Sequence, residues 1–206
     1  MTSADHEAAG VAPSDPIARF NALLAEAKGL DRRILPEPTA FALGTVSPDG
    51  QPSVRILLIK HVDDRGFVFY TNYESRKGRD LSASGKAALC FHWQPLEVQV
   101  RVEGTVGRTS AAESDAYFAS RARGSQIGAW ASRQSQPIDP PGALEKRVAE
   151  FEQKFAGQTV PRPPHWGGWR LTPTAIEFWK NMPSRLHVRH KYLRDGPGWR
   201  VETLYP

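Results

Sequence analysis

Three short segments of this 206-residue chain gather side chains that could hold an anion. The first is Ser75-Arg76-Lys77, which follows the strand-like Tyr70-Thr71-Asn72 and opens a short helix predicted to run to about Ser82. A helix N-terminus presents free N–H groups and the positive end of a dipole. A hydroxyl and two cations placed there make an anion site. The same text also reads as a Ser-capped surface helix with solvated charges. Arg55 and Lys60 bracket a nearly continuous apolar run, Val54 to Lys60. A buried strand with cationic ends points to an anion, unless both side chains snorkel to solvent. Together, the two features favour a phosphate.

The second segment is Tyr117 to Ser125, with Tyr117 and Arg121 four residues apart and hence on one helix face. Ser125 is expected to cap the next short helix. The alternative is an ordinary helix end whose arginines complement the dipole. The third segment is Arg185-Leu186-His187-Val188-Arg189. In an extended conformation Arg185, His187 and Arg189 face one way, and three cationic groups on one face repel unless an anion or solvent separates them. Gln134-Ser135, Trp166 and Trp179 add hydrogen-bonding and stacking surface, although tryptophan alone is more often core or interface.

The elements that must position these groups follow from periodicity. A helix starts near Ser14-Asp15-Pro16, with Ile17, Phe20, Leu23, Leu24 and Ala27 on one face and Gly29 as its stop. Strands are expected at Phe41–Val46, Val54–Lys60, Phe67–Thr71, Ala87–Trp93 and the alternating Leu96–Val106. Ser47-Pro48-Asp49-Gly50 and Asp63-Asp64-Arg65-Gly66 are turn signals. Ser110-Ala111-Ala112-Glu113 is a capping box opening a helix to about Ser120, and Leu144, Val148, Phe151 and Phe155 mark another helix. Val160 to Gly168 reads as a loop, with two short closing strands at Ala175–Lys180 and Trp199–Leu204. Short strands with tight turns suggest a small barrel, mainly β with flanking helices. Residues 1–14 are expected to form a disordered tail and 15–206 a single domain.

Composition excludes several classes. Cys90 is the sole cysteine, so an intrachain disulfide and a cysteine-based zinc site are ruled out, and it is expected as a small core residue. The N-terminus lacks the pattern of a signal peptide and no run has the length of a membrane span, so no membrane partner and a cytoplasmic location are expected. Net charge is +5 with a pI near 9.5, which raises the question of an anionic partner, nucleic acid or a phosphorylated small molecule. The basic residues sit singly rather than in a block, which favours a small phosphorylated ligand over nucleic acid. Dinucleotide-binding glycine loops, Walker loops, HExxH and nucleophile-elbow patterns are absent, and no metal is expected.

The motifs also match a known family in order. Arg55 to Lys60, Gly66 to Gly78, Gln99-Val100-Arg101-Val102-Glu103-Gly104, Tyr117-Phe118 with Arg121, Ser125 to Ser132 with Gln134-Ser135, Pro161-Arg162-Pro163, Trp166-Gly167-Gly168, Ile176 to Trp179 and Arg185-Leu186-His187 with Arg189 resemble the pyridoxamine (pyridoxine) 5'-phosphate oxidase family. The resemblance runs from about residue 15 to the C-terminus. It implies an FMN-binding split β-barrel and a homodimer, with two FMN molecules at the interface and residues from both chains at each. It also implies that FMN is held by Arg55, Ile56, Leu57, Leu58, Ile59, Lys60, Tyr70, Thr71, Arg76, Lys77, Gln99, Gln134, Ser135, Trp179 and Arg189. The substrate, pyridoxamine or pyridoxine 5'-phosphate, would be held by Lys60, Tyr117, Arg121, Ser125, Arg185 and His187, with Arg185 and His187 over the reacting ring. The implied reaction moves a hydride from the substrate C4' carbon to flavin N5; O2 reoxidises the flavin to give hydrogen peroxide, and the amine substrate also releases ammonia.

The chain departs from the family pattern at named places. Val98 stands for a usual Arg, Val188 for the Asp of Arg-Leu-His-Asp-Arg, Ala122 for Pro, Lys180-Asn181 for Gln-Gly, and the tail Thr203-Leu204-Tyr205-Pro206 for Arg-Leu-x-Pro. An Arg-x-x-Tyr segment that can close over substrate is not visible before Asp15. These departures leave the flavin residues nearly complete. They keep open a related flavin oxidase of the phenazine type with another substrate, or a non-catalytic binder of FMN or pyridoxal phosphate.

Overall fold

The computed structural model describes residues 13–138 and 140–206. The expected tail, residues 1–14, therefore lies almost wholly outside the described residues. Helix α1 (Pro16–Gly29) begins where Asp15 Oδ1 accepts from the N–H groups of Ile17 at 2.8 Å and Ala18 at 3.2 Å, with Pro16 in the first turn. It is followed by β1 (Ala40–Val46), β2 (Pro52–Leu58), β3 (His61–Asp63), β4 (Gly66–Asn72), α2 (Arg76–Ser84), β5 (Lys86–Trp93) and β6 (Val98–Arg108). Then come α3 (Ala111–Ala119), α4 (Arg123–Ala131), α5 (Ala143–Lys154), β7 (Trp166–Lys180), β8 (Val188–Asp195) and β9 (Gly198–Thr203).

All the strand pairings are antiparallel, in the order β2-β1-β5-β6-β7-β4-β3, with β8 added to β7 and β9 to β8. The chain steps from β2 to β3, opposite ends of that order, across only Ile59 and Lys60. Ile59 N–H donates to Thr39 O at 2.8 Å and Lys60 N–H to Val68 O at 2.9 Å, so this step ties the two ends together and curls the sheet. Ring contacts across the curl confirm it: Phe41 of β1 meets Phe69 of β4 at 5.6 Å, and Phe20 of α1 touches both Phe67 and Phe91 at 4.8 Å. Helix α1 thus plugs a half-barrel whose inner face holds Leu43, Val100, Val102, Leu171 and Ile176. A second apolar cluster, Phe118, Ile127, Phe155, Val160 and Trp166, lies under α3, α4 and α5.

Four expectations need correcting. The expected loop Val160–Gly168 gives way at Trp166 to a 15-residue strand. Gly167 and Gly168 looked like loop residues, yet they are strand glycines under close approach. A Cβ on Gly167 would lie 2.0 Å from Tyr73 Oη, and one on Gly168 2.4 Å from Thr109 Oγ1. Pro173 is accommodated where the β6–β7 register shifts beside Gly104. Second, β8 was missed because it offers no apolar run; of its eight residues only His190 and Tyr192 are buried. Third, β2 is an edge strand ending at Leu58, and its Val54 and Ile56 are 68% and 66% exposed rather than buried. Fourth, α4 starts at Arg123 after Ala122, so Ser125 lies inside its first turn and does not cap it.

Candidate functional site

The curl leaves a cavity of about 570 Å³ between the β2 edge, the end of β4 and the helical cluster. Arg55, Ile56, Leu57 and Leu58 form one wall, with Lys60 just beyond. Tyr70 and Thr71 come from β4, Lys77 from α2, Tyr117 from α3, Ser125 from α4, and Arg121 and Gln134 from the loops that follow α3 and α4. Twelve of the sequence-selected residues therefore meet here. Asn72, Ala122 and Trp166 complete the lining. Asn72 was not selected, although its place between a strand and a capping serine was a signal: its Oδ1 accepts from Glu74 N–H at 2.7 Å.

Helix α2 brings Lys77 into place. Ser75 caps it by accepting from Gly78 N–H at 3.3 Å, and Gly78 admits no side chain, since a Cβ would lie 2.2 Å from Tyr73 O. Lys77 Nζ donates to Ser75 Oγ at 3.3 Å and to Gln134 Oε1 at 3.0 Å, and Gln134 Oε1 also accepts from Thr71 Oγ1 at 3.3 Å. Burial pushes the Lys77 ammonium below its ordinary value, and repulsion from Arg55 adds to this. Arg55 donates to Leu43 O at 3.1 Å, Thr45 Oγ1 at 2.7 Å and Ser53 Oγ at 2.7 Å. Thr45 in turn donates to the buried Asp80 at 2.7 Å. Burial also lowers Arg55; Asp80 opposes the shift and Arg76 reinforces it.

Arg121 presents a different environment. It follows the end of α3, so it does not share a helical face with Tyr117, yet both line the cavity. Its Cζ sits 4.7 Å from the centre of the Trp166 ring and 5.6 Å from that of Phe118. Its Nη1 is buried with no hydrogen-bond partner, and burial depresses the guanidinium. Among the described residues Arg55, Lys60, Lys77 and Arg121 make no ion pair, whereas Arg65, Arg101, Arg162, Arg170 and Arg189 do.

The remaining selected residues lie elsewhere. Ile59 is in the core, Arg76 opens α2 outside the cavity, and Ser135, at φ +71°, lines a neighbouring cavity with Gln134. Gln99, Trp179 and Arg189 stand side by side across β6, β7 and β8. His187 packs against Trp179 with ring centres 4.5 Å apart and accepts at Nδ1 from Met182 N–H at 3.2 Å. Arg185 has φ +61°. The expected common face of Arg185, His187 and Arg189 is broken: Arg185 sits in a short 3-10 turn, and Arg189, in β8, pairs with the buried Glu177 at 2.8 Å. None of these five residues lines the cavity. One chain therefore carries two groups of selected residues at separate places.

No helix among the described residues is long and apolar enough to cross a membrane, and none of their acidic, histidine or cysteine side chains cluster as a metal site. Residues 30–155 match the family model described as pyridoxamine 5'-phosphate oxidase, and residues 166–206 match the pyridoxine 5'-phosphate oxidase C-terminal dimerisation region. A pyridoxine/pyridoxamine 5'-phosphate oxidase from Myxococcus xanthus (strain DK1622) is 60% identical over 194 residues, covering 94% of this chain and 93% of its own. The protein of that name from Rubrobacter xylanophilus is 56% identical over 195 residues, covering 95% and 88%. Among solved structures, PhzG from Burkholderia lata 383, in complex with tetrahydrophenazine-1-carboxylic acid, superposes with a TM-score of 0.85 at 34% identity over 94% of each chain. A pyridoxamine 5'-phosphate oxidase-related, FMN-binding protein from Nostoc punctiforme shares the fold, with a TM-score of 0.73 at 17% identity over 95% of this chain and 100% of its own. The half-barrel, its flanking helices and matches along nearly the whole described chain agree: this chain belongs to the pyridoxine/pyridoxamine 5'-phosphate oxidase family.

Proposed function

We propose that the chain is an FMN-dependent oxidase that converts pyridoxamine 5'-phosphate, pyridoxine 5'-phosphate or both to pyridoxal 5'-phosphate. Dioxygen is the acceptor and hydrogen peroxide a product, with ammonia released from the amine. The observation that carries this reading is one cavity holding two cationic points without ion-pair partners among the described residues. Lys77 and Arg55 form one; the half-buried Arg121, whose buried Nη1 has no hydrogen-bond partner, forms the other with Tyr117 and Ser125. Two phosphates, one on a cofactor and one on a substrate, suit such a pair. The residues present fit FMN. Lys77 and Arg55 are depressed by burial in a way that an anion would relieve, and the cavity volume is within the usual ligand range of roughly 300–1,000 Å³.

The chemistry such a cofactor supplies is acceptance of a hydride from the substrate and return of the electrons to dioxygen. The chain's own groups do the rest. Arg55 and Lys77 hold the cofactor phosphate, with Thr71 and Gln134 fixing the Lys77 end. Tyr117, Arg121 and Ser125 grip the substrate phosphate, and Lys60 lies at the same wall. Gln99, Trp179 and Arg189 would reach the cofactor, and Arg185 and His187 the substrate ring, from the second chain of a homodimer. That assembly accounts for the two separate groups on one chain and for a C-terminal segment of the dimerisation type.

The test is an aerobic assay of the FMN-loaded protein with pyridoxamine 5'-phosphate. Pyridoxal phosphate and peroxide in equal amounts are expected; a yellow protein forming neither would sink the assigned substrate. A second reading, an oxidase of a reduced tricyclic acid, is favoured by the likeness to the ligand-bound Burkholderia lata structure. It predicts turnover of the tricycle and none of the phosphorylated pyridine.

A further inference from the structure

We propose that Trp166 is a positioning residue for the substrate's phosphate, acting through Arg121 and Tyr117. This rests on the reading that Arg121 holds that phosphate. Trp166 is 7% exposed and lines both the main cavity and a smaller one beside it that also includes Arg121 and Ser125. Its place is fixed from the backbone outward. It pairs with Asn72 at the start of β7, its N–H donates to Pro163 O at 3.1 Å, and its carbonyl accepts from Arg162 at 2.7 Å.

On that anchored ring three cavity side chains are arranged. Tyr70 and Tyr117 lie nearly parallel to it, at 5.5 Å and 11° and at 6.1 Å and 9°, and stack on each other at 4.0 Å. Arg121 lies against it at 4.7 Å. The described residues offer the buried Arg121 Nη1 no hydrogen bond. The ring faces of Trp166 and Phe118 are what remains to hold the cation while its N–H groups stay unspent. An indole face is the strongest aromatic partner for a guanidinium, and the interaction grows when water is excluded. A carboxylate at this place would hold Arg121 more tightly but would neutralise it and compete with an incoming phosphate. Trp166 orients the charge without spending it.

The test is a cycle of variants: Trp166→Leu, Trp166→Phe, Arg121→Ala and Trp166→Leu with Arg121→Ala. KM and kcat for pyridoxamine 5'-phosphate and the affinities for pyridoxal 5'-phosphate and unphosphorylated pyridoxal are measured on each FMN-loaded protein. Trp166→Leu is expected to raise KM and weaken pyridoxal phosphate by roughly tenfold or more, with kcat within about threefold and pyridoxal binding unchanged. Trp166→Phe keeps a ring and is expected to lose only about two- to threefold. In the Arg121→Ala background Trp166→Leu adds almost nothing, because the two act as one unit. Effects that multiply in the double variant, or pyridoxal weakened as much as its phosphate, would overturn the assignment. If Trp166→Leu does not fold, the same cycle run with Trp166→Phe decides by whether its smaller loss disappears beside Arg121→Ala. Arg121→Ala with an unchanged KM would instead remove the phosphate reading itself. A normal Arg121 effect with no Trp166 effect would sink only the present inference.

Discussion

Lys77 and Gln134, 57 residues apart in sequence, meet at 3.0 Å, with the ammonium donating to the amide oxygen. The contact ties the N-terminal end of α2 to the loop after α4. Gln134 Oε1 is a neutral acceptor, so it holds Lys77 in place without cancelling its charge. Replacing Lys77 by Met removes a charge-assisted contact worth about 1.5–3 kcal/mol, or roughly 10- to 100-fold in affinity. FMN titrated into the apoprotein by fluorescence quenching is expected to show that loss. An affinity within twofold of native would remove Lys77 from the phosphate site.

The same lysine is expected to make FMN binding sensitive to pH. Burial and Arg55 hold its folded-state value below 10.5. For a cation with a depressed folded value, the unfolded chain binds more protons in the window between the two values, so apoprotein stability rises with pH there. A bound phosphate favours the charged form and relieves that penalty. FMN affinity is therefore expected to fall on the alkaline side before the ordinary lysine range is reached, and the fall to disappear in Lys77→Met. Binding isotherms at a series of alkaline pH values check both statements.

Much of this site was legible because its members sit in contiguous motifs. Arg55 to Lys60 at a strand edge and Ser75-Arg76-Lys77 at a helix start stand out locally, whereas Tyr117 and Arg121 both line the cavity without the shared helical face that their spacing suggested. What local reading missed had long-range causes. Strand β8 carries His190 and Tyr192 inward between the half-buried Arg189, Lys191 and Leu193, so it lacks an apolar signal until β7 is there to pair with it. Gly167 and Gly168 are small because Tyr73 and Thr109 crowd them, which no neighbour in sequence reveals. Val54 and Ile56 read as core by composition and are exposed because β2 ends the sheet order. Val98, where the family pattern has Arg, is 6% exposed and packs in the main core.

The separation of the two residue groups makes an assembly prediction. Lys77→Met and Arg185→Ala each damage every site of their own homodimer. If each site draws Lys77 from one chain and Arg185 from the other, a mixed dimer has one intact site and one doubly damaged site. Random assortment gives half mixed dimers, so coexpression is expected to recover about a quarter of native turnover. Recovery no greater than the sum of the parents would mean that both groups serve one chain's site.

Gly78 offers a structural prediction beside the proposed cofactor-phosphate site. A methyl group there would lie 2.2 Å from Tyr73 O and 2.7 Å from Asn72 O, both backbone atoms. Gly78→Ala must push α2 away from the end of β4, and such overpacking costs about 1–3 kcal/mol. Thermal unfolding is expected to show a lower midpoint together with weakened FMN binding. Gly128→Ala, where nothing lies within 4 Å of the added carbon, is the matched control on another helix.

His187 tests the other group. Its ring lies 4.5 Å from Trp179, and Met182 N–H donates to its Nδ1, which leaves Nε2 as the protonated nitrogen of the neutral ring. Such a ring presents a fixed N–H donor rather than a base, consistent with a role in orienting substrate or steadying charge. His187→Asn is expected to keep FMN affinity, because Trp179 still has a planar amide beside it, and to lower kcat by roughly 10²-fold as one preorganised donor is displaced. His187→Ala should fall at least as far. Rapid-reaction measurement of flavin reduction separates this from slow reoxidation: the loss belongs in the reductive half. A loss confined to reoxidation by dioxygen would take His187 away from the substrate ring.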